Sequence, residues 1–209
     1  MMNYLEEHGI TLESYMDKDT DIICVFGCLL TEAGKKIKEE MLPWILEKYD
    51  CVVVNQEAPG KLFEFPAMKM AKLISMKYNK PVLYLHTKGA AHSKNVYDQT
   101  NCRLIWKDEF SSHYDWYKEH ILENESVILL PFCGKQHSTI LNGFIASPLT
   151  WSKVNIPEPA ERYRYEHIFN TVKDVKLIGR LMNDVNFLSV ADPGFRRMLK
   201  YINSYKEEK

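Results

Sequence analysis

The sequence lacks any uninterrupted apolar run approaching the roughly 20 residues a helix needs to span a bilayer. Its start, MMNYLEEHG, has neither the basic region nor the apolar stretch of a signal peptide. No membrane span and a cytoplasmic location are therefore expected. There is no CxxC pair either. The five cysteines, Cys24, Cys28, Cys51, Cys102 and Cys133, are odd in number, and three lie in or beside apolar runs, the pattern of reduced core thiols. Charge imbalance is also missing. With 27 Lys and Arg against 28 Asp and Glu the formal charge is −1, too even for a protein that binds through attraction to a phosphate backbone, so nucleic acid is not an expected partner. Internal repeats and low-complexity segments are absent.

The 209 residues that remain to be explained are 45% hydrophobic and 12% aromatic. A chain of this size buries roughly 70% of its unfolded surface in one core, which excludes global disorder and makes one principal domain the expectation. Short β-branched runs alternate with longer stretches at helical spacing, which predicts an α/β protein: one Rossmann-like, three-layer domain whose central sheet is mixed but mostly parallel, flanked by helices.

Residues 21–30 (DIICVFGCLL) predict the first strand of that sheet. Thr31 is placed to cap a following helix that buries Ile37, Met41 and Trp44 or Ile45, with a kink or restart at Pro43. Residues 51–55 (CVVVN) read as a strand buried on both faces, because they show no polar alternation. Phe65-Pro66 opens a helix through about Tyr78, and residues 81–86 (PVLYLH) form a third strand. Two helices are predicted over 96–123, strands over 126–132 and 139–147, and a short helix from Pro148. Further helices are expected near 160–172 and 194–205. Residues 1–18 read as a helical N-terminal extension, leaving 19–205 for the domain.

The most informative stretch is Tyr84-Leu85-His86-Thr87-Lys88-Gly89. An apolar strand there delivers an imidazole, a hydroxyl, a cation and a glycine to its carboxyl end, the edge at which ligands collect in open α/β sheets. Lys supplies a point charge with three donors, Thr a hydroxyl, and Gly lets backbone approach an anion closely. The chemistry is that of diphosphate binding. Methyltransferases, a competing reading of such a sheet, carry a glycine-rich turn after the first strand, where this chain has only Phe26-Gly27-Cys28.

In order, FEFPAMKMAKLIS, VLYLHTKGA, NGFIASPLTW and ERYRYEHIF resemble the small type-A-fold (GT-A) glycosyltransferases of bacterial surface-polysaccharide clusters and large algal viruses, chlorella-virus rhamnosyltransferase domains among them. Those proteins read E-F-P, then a strand ending Y-[LI]-H-T-K-G, a Trp/Arg-bearing helix, a G-N-F/W stretch and an R-x-x-x-E helix. The likeness spans roughly residues 50–170. It implies transfer of a sugar from a nucleoside-diphosphate donor to a glycan or lipid-linked acceptor, with the donor lying across the ends of the first three strands. The donor-binding residues implied are His86, Thr87, Lys88 and Gly89 from the motif, and Phe26, Gly27 and Asn55 from topology. Arg103, with Trp106 on the same helix, matches the Trp/Arg-bearing helix loosely. Asn142-Gly143 corresponds to the stretch that approaches the sugar, although a β-bulge would explain the pair equally.

Two features bear on mechanism. The metal-binding DxD of many type-A enzymes belongs near the end of the third strand, where this chain has His86-Thr87-Lys88; its only DxD strings, at 17–19 and 19–21, precede the first strand, where a turn explains them. Lys88, helped by Arg103, is therefore expected to supply charge that Mg²⁺ or Mn²⁺ otherwise gives to the departing diphosphate, and no metal ligand is assigned. Second, Arg162 and Glu166 are four residues apart and share a helical face. They form either a surface ion pair or, as the resemblance implies, a general base, Glu166, oriented by Arg162 in an inverting transfer. A module that binds nucleotide-sugar or glycan without turnover is the competing class. Histidines outside the motif, including His113 four residues after Glu109, show no metal-site spacing.

Overall fold

The structure, a computed structural model, describes residues 5, 7–57, 64–87, 98–134, 143–156, 168–169, 172–185 and 192–205. Seven strands form one sheet in the order β1-β3-β2-β4-β6-β5-β7. They are β1 (Ile10–Tyr15), β2 (Ile23–Leu29), β3 (Asp50–Gln56), β4 (Val82–His86), β5 (Val127–Gly134), β6 (Phe144–Ala146) and β7 (Lys176–Val185). β2 lies parallel to both β3 and β4, and β5 parallel to β7, whereas β6 runs antiparallel to β4 and β5 and β1 antiparallel to β3. Five of the seven strands thus point the same way, and their carboxyl ends share one edge. The fold is the mixed, mostly parallel α/β sheet expected.

Strand alternation divides the core into two layers. From β2, Cys24, Phe26 and Cys28 face one layer and Ile23 and Val25 the other. The first layer is built by α1 (Glu32–Lys48), α3 (Gln99–Lys107), α4 (Tyr114–Glu123) and α6 (Pro193–Ser204); the second by α2 (Phe65–Tyr78) and α5 (Pro148–Lys153). Between α3 and α4 the backbone opens into one π-helical turn, Asp108–Ser112. Thr31 Oγ1 accepts from Gly34 N at 3.1 Å, capping α1 as the sequence predicts. α2 begins with Pro66 in its first turn and ends at Asn79, whose φ of 50° is the left-handed stop. All five cysteines are buried and unbridged.

Several expectations are corrected. Ile10–Tyr15 is a strand zipped onto β3 rather than part of a helical extension, so the sheet begins before residue 19. α1 runs unbroken through Pro43 instead of restarting there, because the packing of Met41, Trp44 and Ile45 holds the helix through one missing N–H. β6 covers three residues of the longer strand expected. β7 was not anticipated: register shifts against β5 between Leu130 and Gly134 break its alternation. The helix expected over 160–172 falls almost wholly outside the described residues.

Candidate functional site

The strand order makes β2 the point of reversal, since the chain leaves β2 for β3 on one side and returns to β4 on the other. At such a point connections diverge and open a crevice at the carboxyl edge. Gly27 of β2 pairs in register with His86 of β4. Beyond it Thr87 N donates to Gly27 O at 2.9 Å, and Leu29 N donates to Thr87 Oγ1 at 3.1 Å. The hydroxyl of Thr87, a buried residue, therefore stitches the end of β4 to β2. Gly27 is small for a packing reason: a Cβ there would stand 2.9 Å from Ala67 Cβ on α2.

Around His86 the motif segments converge. Glu64, just before α2, places Oε1 3.8 Å from His86 Nε2, a distance that becomes an ion pair when the imidazole is protonated. Its Oε2 accepts from the Tyr84 hydroxyl at 3.3 Å. The His86 ring stacks along Tyr84 at 6.0 Å and meets the edge of Trp106 at 5.5 Å. Trp106 is wholly buried, and a Cβ on Gly143 would lie 2.4 Å from its Nε1. Gly143 is thus required by the indole. This close approach replaces both earlier accounts of Gly143, a sugar contact and a β-bulge. The Trp106 N–H has no hydrogen-bond partner among the described residues.

The other expected donor residues are placed elsewhere. Phe26 is a core residue with no exposed surface, packed toward the α1 layer rather than presented to a ligand. Asn55 is also buried and is engaged by side chains: its Nδ2 donates to Glu13 Oε1 at 2.7 Å, and Lys38 Nζ reaches Glu13 Oε1 at 2.5 Å and Asn55 Oδ1 at 3.4 Å. Burial pushes the Glu13 carboxyl upward, but hydrogen bonds from Lys38, Asn55 and Tyr15 outweigh it and hold the group below its ordinary value. Burial likewise pushes the thiol of Cys28 up to about 11, against the pull of Lys38. Arg103 is turned onto its own helix and α1, with contacts to Gln99 O, Thr100 Oγ1 and Glu40 Oε2. It is not brought to the His86 cluster. Lys88, Gly89, Asn142, Arg162 and Glu166 lie outside the described residues.

The DxD strings occupy the opposite, amino edge of the sheet. Asp19, with φ of 53°, pairs with Lys80, and Asp21 pairs with Lys118, consistent with a bend and not with a ligand site. At the carboxyl edge, among the described residues, Glu64 is the one acid beside β4, and it faces a phenol and an imidazole. This set fits a hard divalent cation poorly, since such ions take several oxygen ligands. A second acidic group, Asp108, Glu109 and His113, brings its ligand atoms within 4.8 Å of one another. Glu109 is already committed. Arg180 of β7 grips it through two hydrogen bonds of 2.6 Å, and Tyr117 donates to it at 2.9 Å. That grip raises the Arg180 pKa, and burial, then Glu109, raise that of Tyr117.

Sequence reasoning quoted Glu64 within E-F-P without giving it a role; the available signal was that E-F-P and Y-L-H-T-K-G belong to one ordered set. Compared with known protein families, curated proteins and solved structures, the chain has no match in any of the three.

Proposed function

We propose that the protein transfers a glycosyl group from a nucleoside-diphosphate sugar to a glycan or lipid-linked acceptor. The observation that supports this best is the meeting of Glu64, Tyr84, His86 and Thr87 at the carboxyl edge beside the reversal point, because two separately quoted sequence blocks supply one polar cluster where ligands of open α/β sheets bind. The fold agrees with what the resemblance implies.

In this reading the donor diphosphate lies over the end of β4, with Lys88 as the cation that meets it. The bond from anomeric carbon to phosphate oxygen breaks, a glycosidic bond to the acceptor oxygen forms, and the acceptor proton passes to Glu166, which Arg162 orients. Glu64 holds the His86 ring. Arg103, Phe26 and Asn55 act as structural residues. Lys88 replaces the metal carboxylates that the edge lacks among the described residues, so donor binding should persist in chelator.

A thermal-shift panel of nucleoside diphosphates and their sugars, each with Mn²⁺ and with chelator, tests the reading, because a ligand that binds the native state alone raises Tm by mass action. One base should give a selective shift that survives chelator and vanishes in Lys88→Ala. Glu166→Gln should keep the shift and lose turnover by about 10²-fold or more. No shift with any member would overturn the proposal, and a shift without transfer to any acceptor would favour a binding module.

A further inference from the structure

The second layer differs from the rest of the surface in charge. α2 and α5 carry Lys69, Lys72, Lys77 and Lys153 and not one acidic residue. The helices of the first layer mix acids and bases, except α6, which is also purely basic. Apolar exposure separates α2 and α5 from α6. Of six large apolar side chains exposed among the described residues, Leu73, Met76 and Tyr78 lie on α2 and Leu149 on α5, and none on α6.

The spacing makes these residues one face. Lys69, Leu73, Met76 and Lys77 follow the i, i+4, i+7, i+8 rule along the outer side of α2, while Phe65, Met68 and Ala71 seat its inner side on the sheet. Lys72 Nζ reaches Val154 O at 2.5 Å and ties the two helices side by side, bringing the exposed Leu149 and Lys153 of α5 onto the same layer. Lys69 lies over the Phe65 ring and Lys77 over the Tyr78 ring, so their stems cover apolar surface while the ammonium groups stay at the rim.

We propose that this layer docks on an anionic lipid surface, with Leu73, Met76 and Leu149 entering the headgroup boundary and the lysines meeting lipid phosphate. Charge complementarity supports the assignment, since cations without anions suit a uniformly negative partner. Composition favours lipid over protein: the face is all Lys and no Arg, and Lys is depleted from protein interfaces, where Arg and aromatic anchors dominate. Because the inner side of α2 belongs to the core, the helix lies on the surface without crossing it. The inference is independent of the glycosyl-transfer reading.

Co-sedimentation of the full chain with phosphatidylcholine vesicles, with and without phosphatidylglycerol, tests it. The protein should partition to the anionic vesicles alone and be released by salt. Lys69→Glu with Lys77→Glu should weaken partitioning by at least about tenfold. Leu73→Ser with Met76→Ser should weaken it at unchanged salt dependence. The equal charge reversal on α6, Arg197→Glu with Lys200→Glu, should leave it within about twofold. Equal partitioning to both vesicle types overturns the proposal, as does equal weakening by the α2 and α6 reversals. A salt-independent dimer dispersed by Leu73→Ser with Met76→Ser overturns it in favour of a second copy. The salt series on the unaltered chain decides the question even where a variant folds poorly.

Discussion

The two helical layers cover the same sheet by different means. The layer of α1, α3, α4 and α6 is held partly by polar ties between distant segments: Glu109 with Arg180 and Tyr117, Tyr49 with Phe110 O, and Lys38 with Glu13 and Asn55. The layer of α2 and α5 packs through Phe65, Met68, Trp151 and Phe169, and its charges stand outside. Charge in the first layer is therefore part of the fold, and charge in the second is surplus to it.

The strongest way to break that comparison is to remove a buried partner. Glu109→Ala leaves the Arg180 guanidinium and the Tyr117 hydroxyl without their acceptor, and uncompensated buried charge costs about 3–5 kcal/mol. Chemical denaturation should show that loss; a change below about 1 kcal/mol would mean that the network contributes little. An intermediate effect comes from pH. The Glu13 carboxyl is held below its ordinary value of 4.5, so the folded chain binds fewer protons there than the unfolded chain. Its contribution is present above 4.5 and is lost as pH falls through the lower folded value. Glu13→Gln should flatten the fall of Tm with acid in that window, and an unchanged acid limb would remove Glu13 from the account. The smallest effect belongs to the second layer. Lys77→Glu reverses an exposed charge and should change stability by less than about 0.5 kcal/mol, and a larger loss would show that the lysines take part in folding.

The sequence made α2 legible almost to the residue, because Phe65-Pro66 gives a start, Asn79 a stop and the apolar spacing a face. β3 was legible because CVVVN is apolar throughout. β1 was not. An edge strand needs little apolar surface, and ITLESY buries Ile10 alone while leaving Leu12 exposed. β7 hid for another reason: Arg180 reads as a surface cation until Glu109, 71 residues away, is folded against it. The same limit applied at the site. His86 and Thr87 could be placed from the end of an apolar run, whereas Glu64 beside His86, and Trp106 pressed on Gly143, arise from packing between segments with no local periodicity. Phe26 and Asn55 were assigned from strand position, which gives the edge a residue is near and not what its side chain is doing.

The π-helical turn between α3 and α4 bears on how the chain tolerates changes of length. A π turn holds one residue more than the α-helix that would replace it, so deleting a residue within 108–112 would leave continuous helical hydrogen bonding and lose no backbone regularity. It would also rotate everything downstream by about 100°, carrying Tyr117 and Ile121 off the sheet and Leu122 toward it. A shorter loop elsewhere trims the surface. One residue fewer here would re-index a whole helix.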